Sequence, residues 1–281
     1  MKSDTNSTNV HDHYAQRNLD ETILNALRTT GKDPDRLQIE DTVAIDEFHV
    51  RGRNATREFA RDLGLDKNMQ VLDVGCGLGG AVRYLAKEFG CRAVGLDFSA
   101  DYCRVADSIT RSLGLDSQVS FQQGDALDIP FPDASFDIVW TQHAAMNISD
   151  KAQLYREIWR VLRPGGRLAL YDIMAGPGGD VYFPVPWARD PSCSFLLTSW
   201  QLLETLTGIG FEILIWRDVT EAGRAWFRHA QDKLRKDGPP PLGLHLLLGD
   251  DFRQMAHNQF LNLEEERVTL IEAVVRRPAD S

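Results

Sequence analysis

The sequence predicts an α/β fold: a doubly wound, mostly parallel sheet with helices on both faces, entered through a helical N-terminal extension. Three observations carry that expectation. From Met69 onward, short apolar runs alternate with amphipathic stretches at the spacing of β-α units. The first apolar run leads into VLDVGCGLGG, residues 71–80, a glycine-rich junction between a strand and a helix. The chain has 281 residues, 43% of them apolar and 26% charged, which suits one large soluble domain.

The elements follow in order. Residues 1–12 are polar and are expected to be a disordered tail. The opening MKSDTNSTNVHDHYAQ has no apolar segment, so it does not read as a signal peptide. Residues 13–65 read as a helical extension serving as a lid. LDETILNAL sets Leu19, Ile23, Leu24 and Leu27 on one face, and Gly31 and Pro34 interrupt the pattern. EFHVRGRNATREFARDLGL predicts a second helical region ending near Gly64.

The main domain is expected over 66–281. MQVLDV is a buried strand; GGAVRYLAKEFG is a helix with Val82, Leu85, Ala86 and Phe89 on its apolar side. CRAVGLD is the next strand, and SADYCRVADSITRSLGL is a helix opened by Ser99 as N-cap. QVSFQQGDA and the strand within FPDASFDIVWT follow. DKAQLYREIWRVLRPGG is a helix stopped by Pro-Gly-Gly, and RLALYDI is a fifth strand. Residues 175–200 read as a loop insertion rich in Gly, Pro and aromatics. SWQLLETLTGIGFEILIWRDV returns to helix and strand. Helices are expected over 221–235 and 250–262, then RVTLIEAVVRR as the last strand.

The formal charge of -10 argues against a nucleic-acid surface, which needs a basic stripe. None of the four cysteines sits in a Cys-x-x-Cys pair, so no metal site is expected and reduced thiols in a cytoplasmic protein are. No run approaches the ~18 apolar residues of a membrane span. The sequence leaves the oligomeric state open, a homodimer included.

The glycine turn raises the question of a ligand. Gly75, Gly77 and Gly80 spell G-x-G-x-x-G, the dinucleotide pattern, which by itself is weak. Asp73 lies two residues before Gly75, where its carboxylate would repel a pyrophosphate and attract a cationic amine. Asp97 ends the second strand, 22 residues after Gly75, where a carboxylate can accept both ribose hydroxyls. Phe98 offers a ring face to a base, and Asp125 can accept from the exocyclic amine of adenine. The set suits an ammonium group, a ribose and an adenine without phosphate, as in S-adenosylmethionine.

With VLDVGCGLGG, VGLDFS, GDALDIPFPDASFDIVW and EIWRVLRPGGRLALYD on the page, the chain resembles the class I S-adenosylmethionine-dependent methyltransferases over roughly residues 68–175. IPFPDASFDIV and RVLRPGG look most like the branch that holds ubiquinone and menaquinone biosynthesis methyltransferases and sarcosine/dimethylglycine methyltransferases. The resemblance implies a seven-stranded, Rossmann-like sheet whose last strand is antiparallel. It also implies a small-molecule acceptor, an amine, a hydroxyl or a quinone-like ring carbon. Asp73, Gly75 and Gly77 would line the methionine end. Asp97 would hold the ribose, Phe98 would flank the adenine, and Asp125 and Ala126 would meet its edge. Gln142 and His143 would face the sulfonium, with His143 as the catalytic base.

Tyr182, Phe183 and Trp187 lie where that family keeps its acceptor lid. Tyr14 would close over the cofactor, and His49 would reach the methionine carboxylate or the acceptor. Plainer roles stand beside these: packing for both histidines, loop anchoring for the aromatics, turn formation for Asp125. Cys76 reads as a small turn residue. The literal G-x-G-x-x-G keeps an NAD-dependent oxidoreductase open, although no Tyr-x-x-x-Lys pair is evident. A non-catalytic nucleoside-binding module stays open as well.

Overall fold

The computed structural model describes residues 19–238 and 240–279. The expected tail over 1–12 and Tyr14 lie outside the described residues. The chain opens with three helices, α1 (Leu19–Thr29), α2 (Ile39–Asp46) and α3 (Arg53–Ala60). Strands and helices then alternate: β1 (Gln70–Val74), α4 (Gly80–Phe89), β2 (Arg92–Asp97), α5 (Ala100–Ser112), β3 (Val119–Gln123) and β4 (Phe136–Gln142). They continue with α6 (Lys151–Val161), β5 (Leu162–Ala175), α7 (Ser199–Ile209), β6 (Glu212–Asp218) and α8 (Thr220–Asp237). The chain closes with α9 (His245–Leu248), α10 (Phe252–Glu264) and β7 (Val268–Arg276).

The seven strands form one sheet in the order β3-β2-β1-β4-β5-β7-β6. The pairs from β3 to β5 are parallel, and β7 runs antiparallel to both of its neighbours. The expected doubly wound, mostly parallel α/β sheet is therefore present. The winding reverses between β1 and β4, which opens a crevice at the carboxyl ends of those strands.

Alternate residues of each central strand feed two cores, because successive side chains point to opposite faces. Val71, Ile138, Trp140, Ala169 and Tyr171 join one core, with Phe59 of α3 and Val82, Leu85 and Ala86 of α4. Leu72, Val74, Val139, Leu168 and Leu170 join the other, against Leu154 and Ile158 of α6 and Leu202 and Leu206 of α7. Both faces are covered, so the central strands are apolar at nearly every position.

A third cluster ties the N-terminal helices to the body. Leu19, Ile23 and Leu27 of α1 pack with Val105 and Ile109 of α5 and with Leu242 and Leu247. The predicted face of α1 is confirmed except at Leu24, which is only half-buried. Ser99 caps α5 as its sequence suggests, its Oγ accepting the Tyr102 N–H at 3.3 Å.

Two boundaries differ from the sequence expectation. Residues 47–52 are not helical; Arg51 and Gly52 adopt left-handed φ values of 71° and 49°, so the helix restarts only at Arg53. The Pro-Gly-Gly run does not hold α6 and β5 apart with a loop, and β5 starts at Leu162. There the Arg277 guanidinium donates to the Trp159 carbonyl at 3.1 Å and the Leu162 carbonyl at 2.8 Å. Those carbonyls at the helix end are satisfied without a separate capping turn.

Candidate active site

The carboxyl ends of four strands face one cavity of about 480 Å³. Asp73 and Val74 come from β1, Leu96 and Asp97 from β2, Asp125 and Ala126 from just beyond β3, and Gln142 and His143 from the end of β4. The cavity therefore lies at the topological switch point, and the alternation of β and α legible in the sequence puts it there.

The glycine turn shapes its floor. Gly75 has φ +78°, and a Cβ there would lie 2.4 Å from the Ala144 Cβ, so only glycine fits under the β4 loop. Gly77 has φ +53°, lines the cavity, and has no neighbouring atom within 4 Å of where a Cβ would be. One glycine serves packing; the other keeps backbone exposed to a ligand.

Asp97 is held from both sides. Its Oδ2 accepts the Gly77 N–H at 2.8 Å and its Oδ1 accepts the Ser99 N–H at 2.9 Å. Each oxygen keeps a further lone pair for a ligand hydroxyl. Burial raises the Asp97 carboxyl above the ordinary range, and the two backbone donors partly offset this. Asp73 is pushed well above the ordinary range by burial first, then by the charges of Asp97 and Glu47. Phe98 stands 41% exposed at the rim, with its ring available to a flat partner. Asp125 is exposed, and its Oδ1 accepts the Leu127 N–H at 2.9 Å.

The N-terminal segment supplies the opposite wall through Asp46, Glu47, Phe48 and His49. Asp46 is anchored by Arg83 of α4, which donates to its Oδ2 at 2.7 Å with both side chains fully buried. Glu47 is paired with Arg53 and accepts from the Thr56 hydroxyl at 2.7 Å. Burial lifts the Glu47 carboxyl to about 7. None of these acids was singled out from the sequence. The only available signal was the DEFH run beside a predicted helix, and an acid pair there reads equally as a solvated helix end.

His143 sits at φ +50° with both ring nitrogens engaged. Its Nδ1 donates to the Tyr171 carbonyl at 3.2 Å, and its Nε2 accepts the Val50 N–H at 3.4 Å. Burial lowers its pKa to about 3, so the ring is neutral. His49 is also buried and neutral, its pKa pulled well down by burial and then by His143, Arg53 and Arg51. The two rings lie 5.9 Å apart, and both pack edgewise on Tyr171.

A second, smaller cavity of about 90 Å³ shares Phe48, His49 and His143 with the first. Trp187 lines it, as do Trp226 and Phe227 of α8. Trp187 is fixed in place: Asn147 donates to the Trp187 carbonyl at 2.7 Å and to the Cys193 carbonyl at 2.8 Å. Tyr182 and Phe183 are placed elsewhere. The Tyr182 hydroxyl donates to Glu265 at 3.0 Å, its ring lies under Arg267, and it faces solvent. Phe183 packs against the core without lining either cavity. Trp226 and Phe227 are not among the residues expected from the sequence; an aromatic pair on an otherwise polar helix is the signal that marks them.

Among the described residues, no group of three or more His, Cys, Asp or Glu is arranged to hold a metal ion. None of the helices described is long and apolar enough to cross a membrane. All four cysteines are buried and unpaired with one another.

Comparison with known proteins identifies the domain that holds this cavity. Residues 72–170 match the family model described as a methyltransferase domain. Methyltransferase GfsG of Streptomyces halstedii is 37% identical over 175 residues, 61% of this chain and 60% of that protein. Residues 72–170 of this chain form a methyltransferase domain.

Two solved structures place this methyltransferase fold over nearly the whole chain. The [4+2]-cyclase SpnF superposes with a TM-score of 0.66 at 25% identity, covering 92% of this chain and 94% of that one. Geranyl diphosphate methyltransferase with geranyl diphosphate and sinefungin gives a TM-score of 0.71 at 17% identity, covering 97% and 99%. The curated relative is spanned over only 60% of its length, so the likeness to it is that of the shared domain.

The cofactor of this methyltransferase family is S-adenosylmethionine, and the residues present fit it. Gly77 leaves the space a side chain would fill, Asp97 has lone pairs for two hydroxyls, and Asp73 and Glu47 suit a cationic ligand. Gln142 adds a buried amide nitrogen without a partner among the described residues.

Proposed function

We propose that this chain transfers a methyl group from S-adenosylmethionine to a small-molecule acceptor. One observation carries the reading: Asp73 and Asp97, at adjacent strand ends, face one cavity over a glycine turn. That field attracts a sulfonium or ammonium and repels the pyrophosphate of a dinucleotide.

In this reading Asp73, Gly75 and Gly77 line the methionine end and Asp97 holds the ribose. Phe98, Asp125 and Ala126 take the adenine, and Gln142 lies toward the sulfur. His143, His49 and Trp187 face the acceptor. When bound, the cofactor supplies an electrophilic methyl carbon. The protein's task is then to align an acceptor lone pair and exclude water; such alignment lowers a barrier by about 7–11 kcal/mol at best. Residues 19–65 and the segment 175–200 act as the lid that excludes water. The acidic balance and the buried thiols support a cytoplasmic enzyme without a nucleic-acid partner.

Parallel calorimetric titrations with S-adenosylhomocysteine and NAD test the site. Tight binding of NAD alone defeats the proposal. Incubation with methyl-labelled cofactor and a broad acceptor panel tests the transfer. A second reading has one observation in its favour: the SpnF neighbour is named as a cyclase, so this fold hosts other chemistry. Intact cofactor binding with no label transferred to any acceptor class would favour that reading.

A further inference from the structure

The place where methyl transfer would occur is marked by the residues common to both cavities, Phe48, His49 and His143. Apart from Gln259 the rest of the smaller cavity is apolar, with Val50, Met146, Ile173, Trp187, Trp226 and Phe227 in its wall. Among the described residues no lysine, arginine, aspartate or glutamate lines it. An acceptor phosphate or ammonium seated there would lose its hydration without a counter-charge. The occupant that suits this wall is uncharged and largely apolar.

The two histidines differ in what they have free. His143 has its Nδ1 committed to the Tyr171 carbonyl and its Nε2 facing the Val50 N–H. The His49 Nε2 lies 3.1 Å from the Thr56 Oγ1 and 3.5 Å from the Glu47 Oε2. The single Thr56 hydroxyl proton goes to the Glu47 Oε2 at 2.7 Å, its shortest contact, so the Thr56 oxygen is left to accept. That arrangement sets the proton of neutral His49 on Nε2 and leaves a lone pair on Nδ1. Among the described residues the His49 Nδ1 has no hydrogen-bond partner.

We propose that the acceptor is an apolar, uncharged alcohol or phenol, and that His49 is the general base that takes its hydroxyl proton through Nδ1. The proposal rests on the methyl-transfer reading above. The acceptor oxygen's lone pair forms the new bond to the methyl carbon. The electrons of the breaking carbon–sulfur bond stay on sulfur, and the hydroxyl proton moves to the His49 Nδ1. Glu47, behind Nε2 directly and through Thr56, is a positioning residue that stabilises the imidazolium formed. His143 is a positioning residue as well; its contacts to Tyr171 and Val50 hold the turn that carries His49. An amine acceptor needs no base during attack, whereas a hydroxyl must lose its proton, and a histidine backed by a carboxylate is suited to take it.

Three measurements test this. Nitrogen-15 NMR of histidine-labelled, cofactor-free protein reads the tautomers: His49 is expected with Nε2 protonated and Nδ1 bare, and a protonated Nδ1 overturns the proposal. Calorimetry of the cofactor-free protein with naphthol, naphthylmethylamine and naphthyl phosphate reads the acceptor class. Naphthol is expected to bind best; preference for the amine or the phosphate overturns the proposal.

The third measurement compares His49→Gln and Glu47→Gln with wild type, using methyl-labelled cofactor and a library of apolar alcohols and phenols alongside their amine and phosphate-ester counterparts. His49→Gln is expected to lower kcat on hydroxyl acceptors about 100- to 10,000-fold with unchanged affinity for S-adenosylhomocysteine. Glu47→Gln is expected to lower kcat less and to alter its pH profile. Methylation of amines or phosphate esters but not of hydroxyls, or an unaltered kcat in His49→Gln, overturns this inference alone. No label on any acceptor class overturns the methyl-transfer reading and this inference with it. If His49→Gln does not fold, the tautomer and binding measurements still decide.

Discussion

The Gly77 amide donates to the Asp97 carboxylate at 2.8 Å, joining the first glycine turn to the end of the neighbouring strand. The bond fixes the carboxylate across the cavity mouth, while the other oxygen is fixed by the Ser99 amide. The acid is oriented before any ligand arrives, so little side-chain entropy remains to be lost on binding.

Asp97→Ala is therefore expected to weaken S-adenosylhomocysteine binding about 10- to 100-fold, the loss of a charged hydrogen-bond partner worth about 1.5–3 kcal/mol. Isothermal titration calorimetry measures it. An unchanged dissociation constant removes Asp97 from ribose binding.

Gly75→Ala and Gly77→Ala are expected to fail differently. At Gly75 the new methyl meets Ala144 at 2.4 Å on a left-handed backbone, and a stability loss of about 2–4 kcal/mol is expected. At Gly77 no atom stands within 4 Å, so the stability loss is about 1 kcal/mol and the larger effect falls on cofactor affinity. Thermal melts and titrations on both variants separate the two; equal loss of stability in both would contradict the assignment.

Arg83→Met is expected to cost about 3–5 kcal/mol of unfolding free energy, because it removes the nearer counter-charge of the buried Asp46 carboxylate and leaves it only Arg53 at 3.8 Å and the Thr42 hydroxyl at 2.6 Å. Arg83 also donates to the Thr110 hydroxyl and the Ala106 carbonyl, each at 3.3 Å, so it joins α2 to both α4 and α5. Urea denaturation reads the change. A value within about 1 kcal/mol of wild type would show that the pair does not hold the N-terminal helices in place.

Asp172 predicts a stability profile. Burial raises its carboxyl from 3.8 to about 7, beside Lys151, whose ammonium burial lowers to about 8. The folded chain thus keeps a proton on Asp172 that the unfolded chain has released. Its stabilising contribution is full below about pH 4 and is lost as pH rises through about 7. Wild type should lose stability relative to Asp172→Asn between those limits in denaturation series. Parallel profiles would refute the assignment. The Lys151 ammonium meanwhile donates to the carbonyls of Ala145 at 2.7 Å and Phe195 at 2.6 Å, and to that of Ile148. It pins the loop after β4 to the segment that carries Trp187.

Turnover at saturating acceptor should rise with pH through about 7, as Glu47 ionises. The groups facing Glu47 are Arg53, which favours the charged form, Asp46, which opposes it, and the Thr56 hydroxyl and His49. Only the carboxylate stabilises an imidazolium on His49, so the acid limb should flatten in Glu47→Gln. A limb that persists unchanged in that variant assigns it to another group.

The sheet, the glycine turn and the acids at the strand ends were legible in the sequence because each is local. Strand periodicity, a glycine run and an aspartate at a strand end are set by neighbours a few residues away. Asp73, Asp97, Asp125 and Gln142 consequently gather at one cavity, as their positions in the β-α pattern foretold. The turn over 47–52 was not legible, since the left-handed φ of Arg51 carries no side-chain signature. Nor was the facing of the 175–200 aromatics. Trp187 turns inward because Asn147 holds its carbonyl, while Tyr182 turns outward to Glu265 and Arg267.

By itself the sequence determined the fold class and the acidic, glycine-lined cleft. Only the tertiary structure decided which histidine keeps a free nitrogen and what kind of wall the acceptor meets. That wall is assembled from residues 48–50, 143, 146, 173, 186–187, 226–227, 244, 248, 252, 256 and 259. Contacts between such distant segments depend on how the helices dock on the sheet, and side-chain periodicity within a segment does not encode that docking.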